Sequence, residues 1–570
     1  MPTVDVFVVL LVVAAGLELL ARRIGVPRPI LLVIAGTLLV LAPGAPRVQV
    51  QPDVIFFVFL PPLLYWASIN TSYREFRHNG REIVLLAVGL VVVTATAVAA
   101  VAHAILPMLS WPAAFALGAA VGPTDAVAAT AVMRRFGVPL SVLSVLEGES
   151  LVNDATSLVI FQMAIAASNT GQFSLGPATL RFLWAAGGGV LLGLATGWCI
   201  AQLRRWLGSR PDRSAVVESS LSLLTPYVAF AAADRVRVSG VLAVVAVGLY
   251  LGHHSARLLS ASARRQVINM WEVLDFLLEG VLFILVGLGL PLALGAVGTP
   301  GGLTTTELVR ATVVVCAVVI TLRLAWVFPA AYGPPYFRVR YLGKRDTYPP
   351  WRSVFFEGWA GLRGAVSLVL ALSIPFATAN GAPFPGRDVV IFLTFAVILV
   401  TLVGQGLTLG PLIRWLALEP DQIEAREEAE ARLRTARVGL QQLDDIASGK
   451  RASDHTEIGT DVSDDADLRQ VAEQLHGQYI HRVHYYRNLV HRDPEDGDTR
   501  TPDDRERDDR EAESDVRSSS AYQRLRLAMI KAERKELVRL RDTGRISDGT
   551  LHRIELDLDL EQMLLAGQDD

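Results

Sequence analysis

The chain has little cysteine, little histidine and, over most of its length, little charge. Cys199 and Cys316 are its two cysteines. Both lie inside apolar runs, far apart, which leaves no disulfide framework and no zinc pattern. The histidines form no ligand cluster either. His103 is alone in its run, and "GHHS" at 252–255 has no acidic metal partner nearby. "HRVHYYR" at 481–487 reads as a solvated helix face, with pH sensing as the alternative. An intramembrane hydrolase needs a nucleophile with a base, or a metal centre, and finds neither here. Charged residues make up only 19% of the chain, and they are unevenly placed. Up to about residue 417 one apolar run follows another; beyond it about every third residue is charged. This divides the chain into a membrane domain, 1–417, and a cytoplasmic tail, 418–570. The net charge of -3 averages two unlike parts, and no nucleic-acid partner is expected. A basic region before the first apolar run is also missing, so that run reads as a retained span, not a cleaved signal.

What is present is hydrophobic length. Mean hydropathy is +0.39, and stretches of roughly 17–25 apolar residues qualify as membrane helices. There are about thirteen, of which the second is short, and the eighth and ninth are separated only by "DRVRVS". Alternate loops such as "YREFRHNGR", "RRWLGSRPDR" and "RVRYLGKRDTYPPWR" carry about twenty Lys and Arg, against about five in the opposite set. The basic loops are therefore expected in the cytoplasm. An odd number of spans then puts the N-terminus outside and the tail inside a cell membrane. The fold class is an all-α multi-pass protein with a helical tail. In that tail "EAREEAEARLRTARVGLQQLDDI" and "YQRLRLAMIKAERKELVRLRDTG" are strong helix formers, the second ending at Gly544. "SDGTLHRIELDLDLEQMLL" starts from a cap at Ser547 or Asp548. "HRDPEDGDTRTPDDRERDDREAESD" is too charged to bury a core and is expected to be disordered.

Three clusters do not belong in lipid. "EGESLVNDATSLVIF" at 147–161 puts Glu147, Ser150 and Asp154 on one helix face, with Glu149 and Asn153 on the adjacent ridge. Each carboxylate costs about 2.5–3.5 kcal/mol at a bilayer centre. A polar seam that only joins helices needs no such residues, and three of them point to an ion or proton pathway. In "FALGAAVGPTDAVAATAV", Gly122-Pro123 breaks a span just before Thr124 and Asp125. Unwound backbone at that depth is tolerated where it lines a cavity or packs within protein. In "EGWAGLRGAVSLVLALSIP", Gly358, Gly361 and Gly364 loosen a helix around Arg363. That cation needs a carboxylate partner unless it snorkels to an interface, and Glu149 is the candidate. Two interrupted segments, one in each half of a many-span chain, are the pattern of a secondary transporter with inverted repeats and two broken crossing helices.

Together these clusters resemble the monovalent cation/proton antiporter family, which includes bacterial sodium/proton antiporters and animal sodium/proton exchangers. "ESLVND" looks like the family's ESL-x-ND signature, "GPTDAVA" like its TDP-type unwound helix, and "GLRGAVSL" like its GLRG segment. "FLLEGVLFILVG", with Glu279, is similar to a further family segment. The resemblance covers roughly residues 5–415. It implies a transporter, not an enzyme, that exchanges cations for protons by an elevator-like movement of a core domain against a dimerisation domain. It implies a homodimer serving pH homeostasis, with no cofactor beyond the transported Na⁺, Li⁺ or K⁺ and H⁺. Asp154 takes the role of the residue that binds cation or proton, joined by Asp125, Thr124 and Ser150 as monovalent-cation ligands. Glu149 and Arg363 become a structural ion pair bridged by Asn153. The chain departs from the family at "FLPPLLYWASIN", where Trp66 stands in place of an acidic residue, and at Ala126, in place of the TDP proline.

The residues and the resemblance meet at Asp154. One carboxylate can hold a proton or coordinate a hard monovalent cation, but hardly both, and that competition couples the two fluxes. Asn153 adds no titrating charge, so electroneutral exchange is expected. A proton-coupled K⁺ transporter and a cation channel remain alternatives, the channel distinguished by needing no dependence on a proton gradient.

Overall fold

The computed structural model describes residues 3–24, 28–41, 57–136, 138–170, 175–208, 215–288, 304–342, 348–378, 381–418, 422–448, 466–491 and 520–566. Among them the ordered elements are helices, and the only β-type pairing is an isolated bridge between Ala377 and Pro383. The chain divides into two compact units. One joins Met1–Leu258 to Val267–Pro420, the other joins Leu259–Gln266 to Asp421–Asp570.

The first unit contains α1 (Thr3–Ile24), α2 (Arg28–Leu41), α3 (Leu60–Asn70), α4 (Gly80–Ile105), α5 (Trp111–Val121), α6 (Ala126–Phe136), α7 (Leu140–Thr170) and α8 (Leu175–Gly208). It continues through α9 (Ala215–Arg235), α10 (Gly240–Leu258), α11 (Ala261–Leu288, whose first residues count with the other unit), α12 (Thr305–Leu342), α13 (Trp351–Trp359), α14 (Ala365–Leu372) and α15 (Arg387–Leu416). Six described helices are long and apolar enough to cross a membrane: α4, α7, α8, α9, α12 and α15. Shorter apolar helices occur within α1, α2, α5 and α10. Two of the expected spans are each cut into a pair, α5 with α6 and α13 with α14, by the glycine-rich and proline-bearing stretches between them.

Local chemistry explains these boundaries. Ser110 caps α5, its Oγ accepting from the Ala113 amide (3.4 Å), and Pro112 sits where a first turn needs no donor. Pro123 supplies no amide to continue α5, which stops at Val121. Small residues set the packing. Gly118 lies so close to α4 that a Cβ there would be 2.3 Å from the Ala95 carbonyl oxygen, the close approach that glycine allows membrane helices. Two helices carry π-helical turns, Leu85–Leu90 in α4 and Val400–Gln405 in α15. Such turns expose backbone and side-chain groups that a regular helix would hide. In α15 the turn aims Thr401 and Gln405 at the break between α13 and α14.

The second unit holds α16 (Gln422–Ala447), α17 (Ala466–His491), α18 (Ser520–Asp542) and α19 (Asp548–Ala566). Leu433, Leu443, Leu475, Met529, Leu537 and Leu540 form part of its buried core. Gly544 adopts φ 71° and ends α18, with the Arg545 amide donating back to the Leu540 carbonyl at 2.8 Å. Ser547 is the cap of α19, accepting from the Thr550 amide at 3.1 Å. Of the segment expected to be disordered, 491–515, His491 ends α17 and the rest lies outside the described residues.

This unit carries unusual internal charge. Tyr479 donates to Glu533, and Arg526 reaches Glu533 (3.2 Å) and Glu561 (2.5 Å). Arg264 contacts Glu555 (2.7 Å) and Asp559 (2.8 Å), while Arg534 reaches Asp559 at 2.5 Å. Burial holds both of these carboxyls above their usual range, against the pull of the two guanidinium groups. Removing one partner of a buried pair costs about 3–5 kcal/mol, and Arg534 keeps the loss here near the lower end. Arg264→Gln should therefore speed proteolytic cleavage around α18 and α19 in the intact chain. Adding Glu555→Gln should slow it again, and equal cleavage in all three proteins would show that the pair does not hold the unit.

Candidate ion site at a helix crossing

The stretches that interrupt α5–α6 and α13–α14 meet back to back. The Asp125 amide donates to the Leu362 carbonyl at 2.8 Å, joining one break directly to the other. Neither stretch could satisfy its backbone in lipid alone. The helix ends around this junction are handled separately by sign. Carbonyls at the C-terminal end of α5 and around the end of α13 present partial negative charge, and each group of them receives an arginine. Arg363 donates through Nε to the Val121 carbonyl (3.2 Å) and through Nη1 to the Gly361 carbonyl. Arg323 donates through Nε to the Gly358 carbonyl and through Nη2 to the Glu357 carbonyl, both at 3.2 Å.

The N-terminal ends of α6 and α14 present partial positive charge, and Asp125 caps the first and lies against the start of the second. Its Oδ1 accepts from the Val127 amide at 2.9 Å. Its Oδ2 lies against Gly364, the residue before α14, so closely that a Cβ there would be 1.5 Å away. Glycine at 364 is therefore required by the carboxylate. Gly361 plays the same part for Arg323, whose Nε would lie 2.0 Å from a Cβ at that position.

Glu149 does not pair with Arg363, and this corrects the sequence-based expectation. Glu149 forms a bidentate pair with Arg323, Nη1 to Oε1 at 2.5 Å and Nη2 to Oε2 at 2.9 Å. Both side chains are 1% exposed. Arg363 is equally buried, but its guanidinium is turned to the carbonyls, and its Nη2 has no hydrogen-bond partner. Asn153 likewise does not bridge Glu149 and Arg363. Its amide donates to the Thr124 hydroxyl (2.9 Å) and carbonyl (3.2 Å), and Thr124 donates to Glu149 Oε1 at 2.8 Å. The sequence reading missed Arg323. Its signal was available: a single Arg in the middle of the apolar run "VVITLRLAWVF".

Asp154, Asp125, Ser150 and Thr124 line one cavity of about 280 Å³. Ser150 Oγ accepts from the Ala126 amide at 3.4 Å, holding the start of α6. Asp154 is 7% exposed and, unlike the neighbouring acids, has no hydrogen bond or ion pair within the described residues. A buried carboxylate without a fixed partner, facing a cavity beside two helix breaks, can hold a proton or a small hard cation. The same cavity is also lined by Asp275 and Glu279 of α11 and by Trp66.

Broken helices crossing beside a free carboxylate define an ion-transport site in a helical membrane protein, and comparison with known proteins gives the family. Residues 7–415 match the family described as sodium/hydrogen exchanger, transmembrane, and the chain belongs to it. It is 37% identical to an uncharacterised Na⁺/H⁺ exchanger of Mycobacterium tuberculosis over 96% of this chain and 93% of that one. A sodium, potassium, lithium and rubidium/H⁺ antiporter of Bacillus subtilis is 33% identical over 70% of this chain and 60% of its own length. Among solved structures, the sodium proton antiporter MjNhaP1 of Methanocaldococcus jannaschii shares the fold, with TM-score 0.53 at 17% identity, covering 72% and 98% of the two chains. The chain is thus a multi-pass membrane cation/proton antiporter, a transporter that uses no cofactor.

The assignment of charges around the crossing can be tested by thermal unfolding. Glu149→Gln and Arg323→Gln should each cost about 3–5 kcal/mol, because each strands a buried charge. The double variant should recover much of that loss. Glu149→Gln combined with Arg363→Gln should show no such recovery, and a recovery there would restore the Glu149–Arg363 pairing.

Proposed function

We propose that the chain exchanges a monovalent cation, with Na⁺ the leading candidate and Li⁺ or K⁺ open, for protons at Asp154 by alternating access. The observation that carries this is the partnerless, buried carboxylate of Asp154 in a cavity beside two crossed helix breaks. Cation and proton compete for the same oxygens. Asp125, Thr124 and Ser150 border that position, while Glu149 with Arg323, Arg363 and Asn153 keep the crossing in shape. Exchange is electroneutral in this reading, since Asn153 supplies no second charge at the site. The full arrangement is about thirteen spans with inverted repeats, working as a homodimer in which a core moves against a dimerisation domain. The two broken spans support the repeats, and the basic loops support an outside N-terminus and a cytoplasmic tail. Protease added to sealed cells should spare that tail, and cleavage from outside would reverse the orientation.

Residues 418–570 form a regulatory tail in this reading. Arg264→Gln alters the unit that contains the tail while leaving every cavity residue in place. It should shift the pH dependence of exchange without abolishing it. Complete loss of exchange in folded protein would instead make the tail part of the transport machinery.

The central test is exchange in vesicles reconstituted with full-length protein. Asp154→Asn should abolish cation-driven proton movement while leaving folding intact, because the costly buried charge is the one removed. Normal turnover in that variant removes Asp154 from the mechanism. In the same vesicles, clamping the membrane potential should leave the wild-type rate nearly unchanged. One net charge per cycle would be worth about 2.3 kcal/mol per 100 mV, so steep voltage dependence defeats electroneutrality.

A further inference from the structure

Glu279 is a carboxylate that the exchange chemistry at Asp154 does not use. It lies on α11, one turn after Asp275, and both side chains line the cavity that contains Asp154. Its surroundings are unlike those of a structural ion pair. Arg28, at the start of α2, is the nearest cation, yet its Nη1 stands 3.6 Å from Glu279 Oε2 and its Nε 3.7 Å from Glu18. Charge-assisted hydrogen bonds run at about 2.7–2.9 Å, as Arg323 and Glu149 show in the same protein.

Arg28 is anchored by other contacts. It donates to the Phe276 carbonyl, and its guanidinium lies 3.8 Å above the Phe276 ring centroid. Gly280 gives it room, since a Cβ there would be 2.8 Å from Arg28 Nη2. Glu279 therefore has a guanidinium close by that stands beyond charge-assisted hydrogen-bond distance. Glu279 Oε1 is buried and accepts no hydrogen bond. Ser367 Oγ, on a residue 1% exposed that also lines the cavity, is in the same condition, and Asp154, 7% exposed, has no partner among the described residues. Unsatisfied buried oxygens from three helices around one cavity mark a place built to receive a cationic ligand.

We infer that Glu279, assisted by Asp275, is a second cation station in this cavity, and that Arg28 is its resident counter-ion, displaced in part when the transported cation arrives. The inference rests on the exchange reading above. The station concentrates the monovalent cation beside Asp154 and sets apparent affinity, while Asp154 alone carries the competition with protons. Arg28 tempers that affinity, because its charge opposes the same cation. A positively charged side chain that loosely occupies carboxylates is a competitor for the ion they would bind.

The two residues should therefore act in opposite directions. In vesicles holding the full chain, with Na⁺ and K⁺ titrated separately, Glu279→Gln should raise KM for the cation about tenfold, with the maximal rate kept. Arg28→Gln should lower KM about threefold. Were the pair merely structural, both variants would lower thermal stability and leave KM where it was, and that result overturns the inference. If Glu279→Gln does not fold, Asp275→Asn replaces it, with a raised KM expected and an unchanged KM overturning. Asp154→Asn in the same series separates the two claims. An active Asp154→Asn defeats the exchange reading itself, whereas an inactive one beside an unchanged KM in Glu279→Gln defeats the second station alone.

Discussion

Everything at the centre of the membrane unit depends on one backbone hydrogen bond, from the Asp125 amide to the Leu362 carbonyl. It allows two helices to be broken in a region where unpaired backbone costs several kcal/mol per group. Breaking them creates four helix ends near one point, two with exposed carbonyls and two with exposed amides. Arg363 and Arg323 meet the carbonyls, and Asp125 accepts from an amide at the start of α6 while lying against Gly364 just before α14. The crossing is thus a small electrostatic lattice in which each fixed charge answers a helix end or another fixed charge.

That arrangement explains why Asp154 is left without a partner. A guanidinium aimed at Asp154 would occupy the oxygens that, in the exchange we propose, a cation reaches. Arg323 is instead locked to Glu149 by two hydrogen bonds, and Arg363 is turned away toward Val121 and Gly361. Thr124 at the first break donates to the Glu149 carboxylate and accepts from the Asn153 amide, so the helix that carries Asp154 is tied to that break at two points just before it. Rigid neighbours and one free carboxylate are what a competitive exchange site needs.

Much of this was legible in the sequence, for definite reasons. Gly122-Pro123 and the glycines around Arg363 mark broken helices because few other arrangements place those residues in apolar spans. Asp154 and Asp125 stand out by their cost in lipid. The partner of Glu149 was not legible in the same way. Arg323 has no glycine, proline or acid among residues 318–328, and the sequence alone does not show that a 38-residue helix brings it to the crossing. Arg363 was the more visible cation because glycines surround it, but two of those glycines serve other groups: Gly361 admits Arg323 and Gly364 admits Asp125. The rest of the cavity lining was hidden as well. Glu279 could be seen in "FLLEGVLFILVG", whereas its place in the same cavity as Asp154 is a product of tertiary packing.

The cavity lining also bears on ion choice. Trp66 lies parallel to Trp271 at 6.1 Å, and α3 contributes this aromatic ring together with Asn70. Carboxylates reach the cavity from α7 and α11. A space of about 280 Å³ has room for several waters beside an ion. A cation held there by charge, with part of its water shell retained, is sorted mainly by its charge and only weakly by its radius. Close discrimination between Na⁺ and K⁺ requires oxygens that replace that shell at short range. In this cavity such oxygens are concentrated around Asp154, Ser150 and Thr124, with the Thr124 hydroxyl already engaged by Glu149 and Asn153.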